Sequence, residues 1–360
     1  MSAPYAAPRT TGTIDWEPMH AMLVAALRDV LGTDAALEAW RATPLAKRGK
    51  HGLVRYDLDV RTAGPGRSPL QRHQWVGKRY EREDDGNRVA GVLRALSAVG
   101  LERTGVVVPR VVGYSLSRRL LLMTYEAGES VVAAIAREGE AVLSAIGRAM
   151  AALHAAPVRV ESVRTPAAEL ASLRSKLSEV AAAFPGEVEA LRRIQNELEC
   201  VAPPDDTPAF LHGDCGLAQL LWTGSRVVVL DLDDCARGDP ALDLGNLFTQ
   251  LRRLTLRKPG KLPAYASLRH AILDAYRRVS PGDPDLFFRV AWYERLALLR
   301  KIHSLAAEPR GRSAVRCTIA GVPASASCSS LTCVMSRHAS RRPPCARRAS
   351  PLPRCYGRGR

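Results

Sequence analysis

Apolar residues in the first 125 positions recur with two periods, one typical of a helix and one typical of strands. Residues 13–40 have helical spacing, with Met22, Leu23, Ala26 and Leu27 on one face. Residues 52–60 instead alternate apolar and polar side chains, as a half-buried strand does. The elements predicted after these are a strand at 73–80, a helix at 87–99, a strand region from 106 and an apolar strand at 120–125.

Beyond Gly128 the pattern becomes almost wholly helical and is interrupted only by short apolar runs. Helices are predicted within 161–199 and 252–305, and no internal repeat is evident. At 360 residues the chain can bury a large core and has room for two or three domains. The hydrophobic fraction of 46% and charged fraction of 24% are ordinary for a globular protein.

The net charge of +16 is distributed unevenly along the chain. Residues 311–360 contain ten Arg, no Lys and no acidic residue, which leaves +6 for residues 1–310. Clustered Arg attracts polyanions, so this tail predicts either a disordered polyanion-binding arm or the product of an out-of-frame gene end. We expect disorder in both cases, because few apolar side chains are available to pack.

Cysteine usage and hydropathy narrow the class of protein. The tail holds five of the eight cysteines without a CxxC pair, so a zinc site is not expected. The other three are scattered as ordinary cytosolic thiols are. Residues 1–15 lack the apolar stretch of a signal peptide, and no run of about 18 apolar residues occurs. These features predict a soluble cytoplasmic enzyme with no membrane partner.

Three short segments in the second half of the chain contain the strongest chemical pattern. Asp214 follows a His-Gly pair, Gln219 comes five residues later, and Asp231 ends an apolar, strand-like run. Phosphoryl transfer requires positioning and neutralisation of charge more than covalent help from the protein. One carboxylate can accept or orient the proton of a hydroxyl, while the amide and the second carboxylate can hold Mg²⁺ through oxygen. The spacing therefore predicts a small-molecule kinase.

The combined segments resemble the aminoglycoside phosphotransferase and choline kinase-like family, over roughly residues 40–305. The resemblance assigns Asp214 as the catalytic residue and Asp231 as a metal ligand. It matches the Gly-Asp-Pro and Asp-Leu pairs that contain Asp239 and Asp243 to the closing element of the family pattern. Gln219 stands where the family has Asn, so the amide oxygen is kept on a side chain that is one methylene longer.

The order of predicted elements is similar to the two-lobed protein-kinase-like fold. The resemblance implies an α+β protein with a small antiparallel-sheet nucleotide-binding lobe at 1–126 and a mainly helical catalytic and substrate lobe at 127–310. The Arg- and Cys-rich tail at 311–360 follows. The basic segment 47–52 precedes a strand, and it either arches over the nucleotide phosphates or forms a surface turn.

The same resemblance implies the residues that bind the nucleotide. Lys78 is the strand lysine that reaches the phosphates, and a cation on a rigid strand is pre-organised charge. Met123 and Tyr125 lie in the stretch that becomes the hinge, where adenine bonds to the backbone. The family's helix carries a Glu that pairs with the strand lysine, but Val89 occupies that position here.

Some motif residues also have local structural interpretations. Asp214 alone could cap a turn, since Asp bonds readily to nearby backbone N–H groups. His212 is expected to brace its loop, and Asp239 and Asp243 are expected to fix the loop by hydrogen bonding. One of Asp233 and Asp234 could assist the metal, but both are expected more often to be solvated loop carboxylates.

The function predicted is that of an ATP- and Mg²⁺-dependent phosphotransferase whose partner is a small molecule with a hydroxyl group. A nucleotide-binding pseudokinase is the alternative, because of the departures at Val89 and Gln219. Nucleic-acid binding by the tail is the weakest hypothesis, because its charge lies outside the predicted fold and lacks interleaved aromatics. Residues 252–261 are rich in Arg and Lys, whereas a polycationic aminoglycoside favours an acidic pocket. Such an antibiotic is not the expected acceptor.

Overall fold

The computed structural model describes residues 16–45, 52–62, 69–204 and 208–306. The predictions for the tail at 311–360 and for the basic segment up to residue 51 lie outside these described residues.

The first lobe is an antiparallel sheet with two helices. Its elements in chain order are α1 (Trp16–Leu31), β1 (Ala35–Pro44), β2 (Leu53–Thr62), β3 (Gln71–Arg79), α2 (Glu83–Ala98), β4 (Val106–Val107), β5 (Val111–Ser115) and β6 (Leu120–Thr124). Five of the strands form one sheet in the order β1-β2-β3-β6-β5. The predicted strands at 52–60, 73–80 and 120–125 and the predicted helix at 87–99 are confirmed as β2, β3, β6 and α2.

The central strand β3 presents alternate residues to opposite faces of this sheet. Trp75 is buried with Tyr56 and Leu58 in a core that includes Leu23 of α1. Lys78 is three residues further on, so its side chain leaves the opposite face, which is turned towards the second lobe. The alternation of the strand therefore decides that Lys78 faces the rest of the site and not α1.

The helix predicted over residues 13–40 is wrong in its second half, since α1 ends at Leu31. Gly32 follows with φ of +99°, a conformation that glycine adopts readily and that commonly ends helices. The chain then returns as β1, in which Trp40 lies opposite Leu58 of β2. Ala, Leu and Glu in this stretch favour a helix on their own. Pairing along the edge of β2 overrides that preference, and a local pattern does not register it.

The second lobe is mainly helical. Its elements in chain order are β7 (Glu129–Ser130), α3 (Val131–Glu138), α4 (Glu140–His154), β8 (Val163–Arg164), α5 (Pro166–Ala183), α6 (Val188–Cys200), β9 (Ala209–Leu211), β10 (Leu220–Trp222), β11 (Val227–Val229), β12 (Ala236–Gly238), α7 (Ala241–Arg257), α8 (Tyr265–Val279) and α9 (Leu286–Ala306). The helix α4 packs on α8, and α7 packs on α9. Within the described ranges, no helix combines the length and apolarity needed to cross a membrane.

Two short sheets carry the three motif segments. One has the order β4-β11-β10-β7 and the other the order β8-β12-β9. The strand β9 ends just before the loop of Asp214, β11 ends two residues before Asp231, and β12 ends just before Asp239. The α+β, two-lobed protein-kinase-like fold class is confirmed, and these sheets set the positions of the candidate site.

Candidate active site

The loop after β9 is held by one buried carboxylate from α7. Asp243 accepts hydrogen bonds from the backbone N–H groups of His212 (2.7 Å) and Gly213 (2.9 Å), and His154 Nε2 lies 3.2 Å from the same carboxylate. Burial raises the pKa of the Asp243 carboxyl, but the His154 hydrogen bond and the loop donors outweigh it and hold this pKa below its usual value. Asp243 therefore fixes the loop that carries Asp214 by hydrogen bonding, as expected.

Asp239 supports the site from further away. Its Oδ1 accepts a hydrogen bond from the backbone N–H of Ala241 at the start of α7 (2.9 Å). Its Oδ2 accepts one from Nε of Arg289 on α9 (2.8 Å), and Arg289 also pairs with Asp283 (2.6 Å). Asp239 therefore ties α7 to α9, which keeps Asp243 in register with the loop that it holds.

His212 connects the two loops that carry the carboxylates. Its Nε2 lies 2.8 Å from the carbonyl oxygen of Leu230, the residue before Asp231, and its Nδ1 lies 3.4 Å from the backbone nitrogen of Asp214. A neutral ring with its proton on Nε2 satisfies both contacts, because one nitrogen then donates and the other accepts. The ring therefore braces the loop, as expected, and both of its nitrogens are already engaged.

Gly213 allows these loops to approach each other closely. Its φ is +86°, and a Cβ atom at this position would lie 1.8 Å from the carbonyl oxygen of Asp234. Only glycine combines this backbone conformation with such a close approach. The glycine of the His-Gly-Asp segment is therefore required for the packing of the loops.

Lys78 crosses from the first lobe to the loop that follows β11. Its Nζ lies 2.6 Å from Asp231 Oδ1 and 2.6 Å from Asp233 Oδ2, and the Tyr80 hydroxyl donates to Asp233 (3.0 Å). The expectation of a solvated loop carboxylate is wrong for Asp233, because its half-buried side chain is held by Lys78 and Tyr80, whereas Asp234 is exposed as expected. Burial and the neighbouring carboxylates raise the pKa of Tyr80 well above its usual value, so its hydroxyl remains a donor.

Asp231 itself has an uncommon backbone conformation. Its φ is +63°, in the left-handed region that Asp and Asn tolerate better than most residues do. Its side chain is 52% exposed, in contrast to the buried ammonium of Lys78. The turn therefore leaves part of the carboxylate accessible to a ligand while Lys78 holds the rest.

The helix α2 contributes the cation of Arg88 to this cluster, whereas the family resemblance predicts a Glu on this helix. Val89 is buried in the core, as its apolar side chain requires. In the described part of the chain, the ion pairs of Lys78 are with Asp231 and Asp233, and neither belongs to α2. Arg88 instead donates to the carbonyl oxygen of Asp233 (2.6 Å). The sequence reasoning missed Arg88, although its position directly before Val89 was a usable signal.

Gln219 is placed next to Asp231 by the hairpin of β10 and β11. Its carbonyl oxygen accepts a hydrogen bond from the backbone N–H of Leu230 (2.8 Å). Its side-chain Oε1 is buried and has no hydrogen-bond partner among the described residues. A buried oxygen without a donor costs free energy that a bound cation would recover. Gln219 and Asp231 therefore offer two oxygen ligands at one end of the hairpin.

Asp214 is oriented differently from the other carboxylates. Its side chain accepts no hydrogen bond from any described residue, although it lies in the middle of the site. Partial burial and then the charges of Asp234 and Asp231 raise the pKa of the Asp214 carboxyl, while His212 and Arg164 lower it less. Asp214 therefore presents a carboxylate of increased basicity that is available to accept a proton.

The sequence of this chain was compared with known protein families. Residues 59–286 match the phosphotransferase enzyme family (APH), which is more than half of the chain. The chain belongs to this family. No curated protein matches it. The matched region contains the strand of Lys78 and all three motif segments, so the family assignment covers Lys78, Asp214, Gln219 and Asp231.

Solved structures show the same fold. The amicoumacin kinase hAmiN, solved with AMP-PNP, Ca²⁺ and Ami, is 13% identical with a TM-score of 0.54, covering 85% of this chain and 93% of that one. A choline kinase from Cryptosporidium parvum Iowa II is 12% identical with a TM-score of 0.54, covering 89% and 97%. The choline kinase LicA from Streptococcus pneumoniae is 13% identical with a TM-score of 0.51, covering 85% and 99%.

In this APH-family chain the predicted hinge residues lie alongside β3, within β6 and directly after it. Met123 lies within β6, opposite Val76 of β3. The backbone N–H of Tyr125 donates to the carbonyl oxygen of Gln74 (3.0 Å), so it is already engaged. Binding of adenine by Met123 and Tyr125 stays a prediction, and it requires backbone groups other than this N–H.

A cavity of about 1230 Å³ adjoins the Asp214 loop. Its walls come from α5, α7 and α9 and from the 233–235 turn, and Arg88 of α2 lines it on the side of the first lobe. Asp214 and Gly213 belong to its lining. A molecule in this cavity therefore has direct access to the Asp214 carboxylate.

Replacing Asp243 with Asn is expected to lower the free energy of unfolding at pH 7 by about 1–3 kcal/mol, because it leaves a buried loop N–H without an ionised acceptor. The folded-state pKa of Asp243 is below its usual 3.8. Its stabilisation is therefore present above about pH 4 and is lost as the pH falls through the folded-state value. Urea unfolding at several pH values should show the difference between the two proteins shrink in acid. The exposed Asp29→Asn variant, on α1, is the control and should unfold like the unaltered protein.

Proposed function

We propose that the protein transfers the γ-phosphoryl group of ATP to a hydroxyl of a small molecule, with Mg²⁺ as cofactor. The observation that carries this proposal is the convergence of a lysine from the first lobe with two carboxylates of one short segment in the second lobe. Lys78 lies 2.6 Å from Asp231, and His212 links the residue before Asp231 to the loop of Asp214. A phosphate-binding cation, a metal-binding carboxylate and a proton acceptor are what phosphoryl transfer requires.

Asp214 is the proton acceptor in this proposal. The hydroxyl proton passes to its carboxylate as the hydroxyl oxygen forms a bond to the γ-phosphorus, and the bond to the bridging oxygen of ADP breaks with its electron pair. The raised pKa of Asp214 makes its carboxylate a better proton acceptor than an Asp with the usual pKa would be. Its access to the cavity gives the acceptor molecule a place to bind.

Asp231 and Gln219 fit a magnesium ion. They provide one carboxylate and one buried amide oxygen that has no donor among the described residues, and oxygen is the ligand that this hard cation prefers. A bound Mg²⁺ would neutralise charge on the phosphate oxygens. Lys78 supplies a second, fixed positive charge from the first lobe. The structure of amicoumacin kinase hAmiN contains AMP-PNP and Ca²⁺, which supports a nucleotide and a divalent cation in a protein of this fold.

A pseudokinase that binds nucleotide with little turnover is the second candidate. It is favoured by Val89, which is buried where the family resemblance led us to expect a Glu, and by the pairing of Lys78 with both Asp231 and Asp233. Two carboxylates that hold one lysine reduce its availability to a phosphate. The two candidates differ in turnover, and they agree on nucleotide binding.

The proposal is tested by calorimetric titration of ATP with and without Mg²⁺, followed by measurement of ADP release across a panel of hydroxylated metabolites. We expect Mg²⁺-dependent binding and ADP release with at least one acceptor. Absence of ATP binding both with and without Mg²⁺ would refute both candidates, and ATP binding that Mg²⁺ does not strengthen would contradict the magnesium site. Binding without turnover in the complete panel would favour the pseudokinase.

Gln219 provides a sharper test of the metal site. Replacing it with Leu removes the oxygen, so the Mg²⁺ concentration needed for half-maximal activity should rise by about tenfold, or roughly 1.4 kcal/mol. The thermal midpoint without metal should not fall, because the removed oxygen has no hydrogen bond among the described residues. The Gln219→Asn variant keeps an amide oxygen and should retain or increase Mg²⁺-dependent turnover.

The matched control for this series is Gln195→Asn, since Gln195 lies on α6 and bonds to Glu199. It should leave the magnesium dependence unchanged. An unaltered magnesium dependence in Gln219→Leu would remove this residue from the metal site.

A further inference from the structure

The cavity beside Asp214 has an uneven charge. Of the described residues that line it, eight are Arg or Lys and three are acidic. One of the three, Asp233, is already paired with Lys78 and bound through its carbonyl oxygen by Arg88. A cavity walled mainly by cations raises the local concentration of anions and repels cations.

Two of these cations, Arg164 and Arg300, are held in the wall of the cavity by one carboxylate. Arg164 Nε lies 2.9 Å from Glu169 Oε1, and Arg300 pairs with the other oxygen of the same carboxylate. Glu169 is buried, so two guanidinium groups share one negative charge. Burial and then the charge of Arg164 act to lower the pKa of Arg300, and Glu169 offsets this only in part. Arg300 Nε is buried without a hydrogen-bond partner among the described residues.

This arginine pair lies next to the proposed proton acceptor. Arg164 Nη1 donates to the carbonyl oxygen of Gly213 (2.5 Å), the residue before Asp214. Arg164, Arg300 and Asp214 line the same cavity, so an anionic group bound by the two arginines shares that cavity with a hydroxyl bound at Asp214. Guanidinium groups suit this task, because their fixed fork of donors matches the oxygens of a phosphate or a carboxylate.

A second tier of cations surrounds the opening of the cavity. Arg257 and Lys258 are exposed at the end of α7, and Lys176 is half-buried on α5. Within the described part of the chain, none of the three takes part in an ion pair. Charges that are not neutralised by neighbours contribute fully to the field that attracts an anion, and this contribution weakens as salt is added.

We propose that the acceptor is itself an anion, a small hydroxylated molecule that carries a phosphate or carboxylate group. Its anionic group binds Arg164 and Arg300, and its hydroxyl binds at Asp214, from which the phosphoryl transfer described above proceeds. The proposal rests on the phosphotransferase function proposed here and adds the substrate class. Cationic acceptors such as choline or an aminoglycoside are disfavoured by the same charges.

The first test compares small hydroxylated acceptors that carry a negative, a neutral or a positive charge. ADP release is measured with glycerol, glycerate and glycerol 3-phosphate, with ribose and ribose 5-phosphate, and with choline as the cationic member. We expect turnover with one or more anionic members at a kcat/KM at least about tenfold above that of the neutral partner, with KM rising as salt is added. Turnover of a neutral or cationic member in preference to its anionic partner would overturn the proposal.

The second test detects the anion site without turnover. Inorganic phosphate is titrated calorimetrically into the full chain with the nucleotide site saturated by AMP-PNP and Mg²⁺. The double variant Arg257→Glu, Lys258→Glu reverses two exposed charges at the opening and should weaken phosphate binding by at least about tenfold. The matched control reverses two exposed charges on α6, Arg192→Glu with Arg193→Glu, and should bind phosphate as the unaltered protein does.

Different results would overturn the anionic acceptor and the phosphotransferase function on which it rests. Normal AMP-PNP binding without phosphate binding, or phosphate binding that the variant at the opening leaves unchanged, would overturn the anionic acceptor alone. Failure of AMP-PNP itself to bind would overturn the phosphotransferase function, and the acceptor class with it.

Discussion

Asp214→Asn is expected to lower the rate of phosphoryl transfer by about 10²–10⁴-fold, the usual contribution of a general base, while ATP and Mg²⁺ still bind. The substitution keeps the shape of the side chain and removes its ability to accept a proton. The loop should keep its conformation, because it is held through the backbone of His212 and Gly213 by Asp243 and not through the Asp214 carboxylate. ADP release with a working acceptor measures the rate, and calorimetry measures nucleotide binding.

The control for this experiment is Asp274→Asn, which makes the same chemical change at a half-buried position on α8, where Asp274 pairs with Arg278. It should have the rate of the unaltered protein. Loss of nucleotide binding in Asp214→Asn, or a rate within about threefold of the unaltered protein, would show that Asp214 has another role, since a general base contributes more than this.

Asp231→Asn is expected to weaken Mg²⁺-dependent binding of ATP by about 10- to 100-fold, corresponding to the roughly 1.5–3 kcal/mol of an interaction with a charged group. It should lower the rate as well. Asn is the suitable replacement, because it tolerates the left-handed φ of +63° at this position and so leaves the turn intact. Lys78 keeps one carboxylate partner in the variant, Asp233, so the contact between the lobes should persist.

The distinguishing measurement is the titration of ATP with and without Mg²⁺ for both Asp variants. Asp231→Asn should lose most of the gain in affinity that Mg²⁺ provides, whereas Asp214→Asn should keep it. The opposite pattern, in which Asp231→Asn binds Mg²⁺-ATP and turns over normally, would contradict the metal role of Asp231 and favour Asp233 as the metal ligand.

The sequence alone indicated the residues of the proposed catalytic loops. Asp214, Gln219 and Asp231 lie within 18 consecutive residues, and the strands β10 and β11 between them form a local hairpin. Spacing along such a short segment is almost the same as spacing in space, so the motif was informative without any structure. The strands β2, β3 and β6 were also predictable, because alternation or an apolar run of suitable length is a local signal.

Other features depended on contacts between distant residues. The stretch around Trp40 has helix-forming composition, yet it forms β1 because an edge of β2 is available to pair with it. Asp233 was expected in solvent and is held by Lys78, which lies 155 residues earlier in the chain. Arg88 lies 145 residues before the carbonyl oxygen of Asp233 to which it donates.

The character of the cavity was also decided by tertiary structure. The sequence showed a basic stretch at 252–261, but not that Arg164 and Arg300, which come from β8 and α9, share one buried carboxylate beside Asp214. Local periodicity reports which face of an element is buried, whereas the field in a cavity is a sum over elements that meet only after folding. The sequence by itself therefore determined which residues are candidates for the proposed reaction, and only the tertiary structure decided which charges surround the proposed acceptor site.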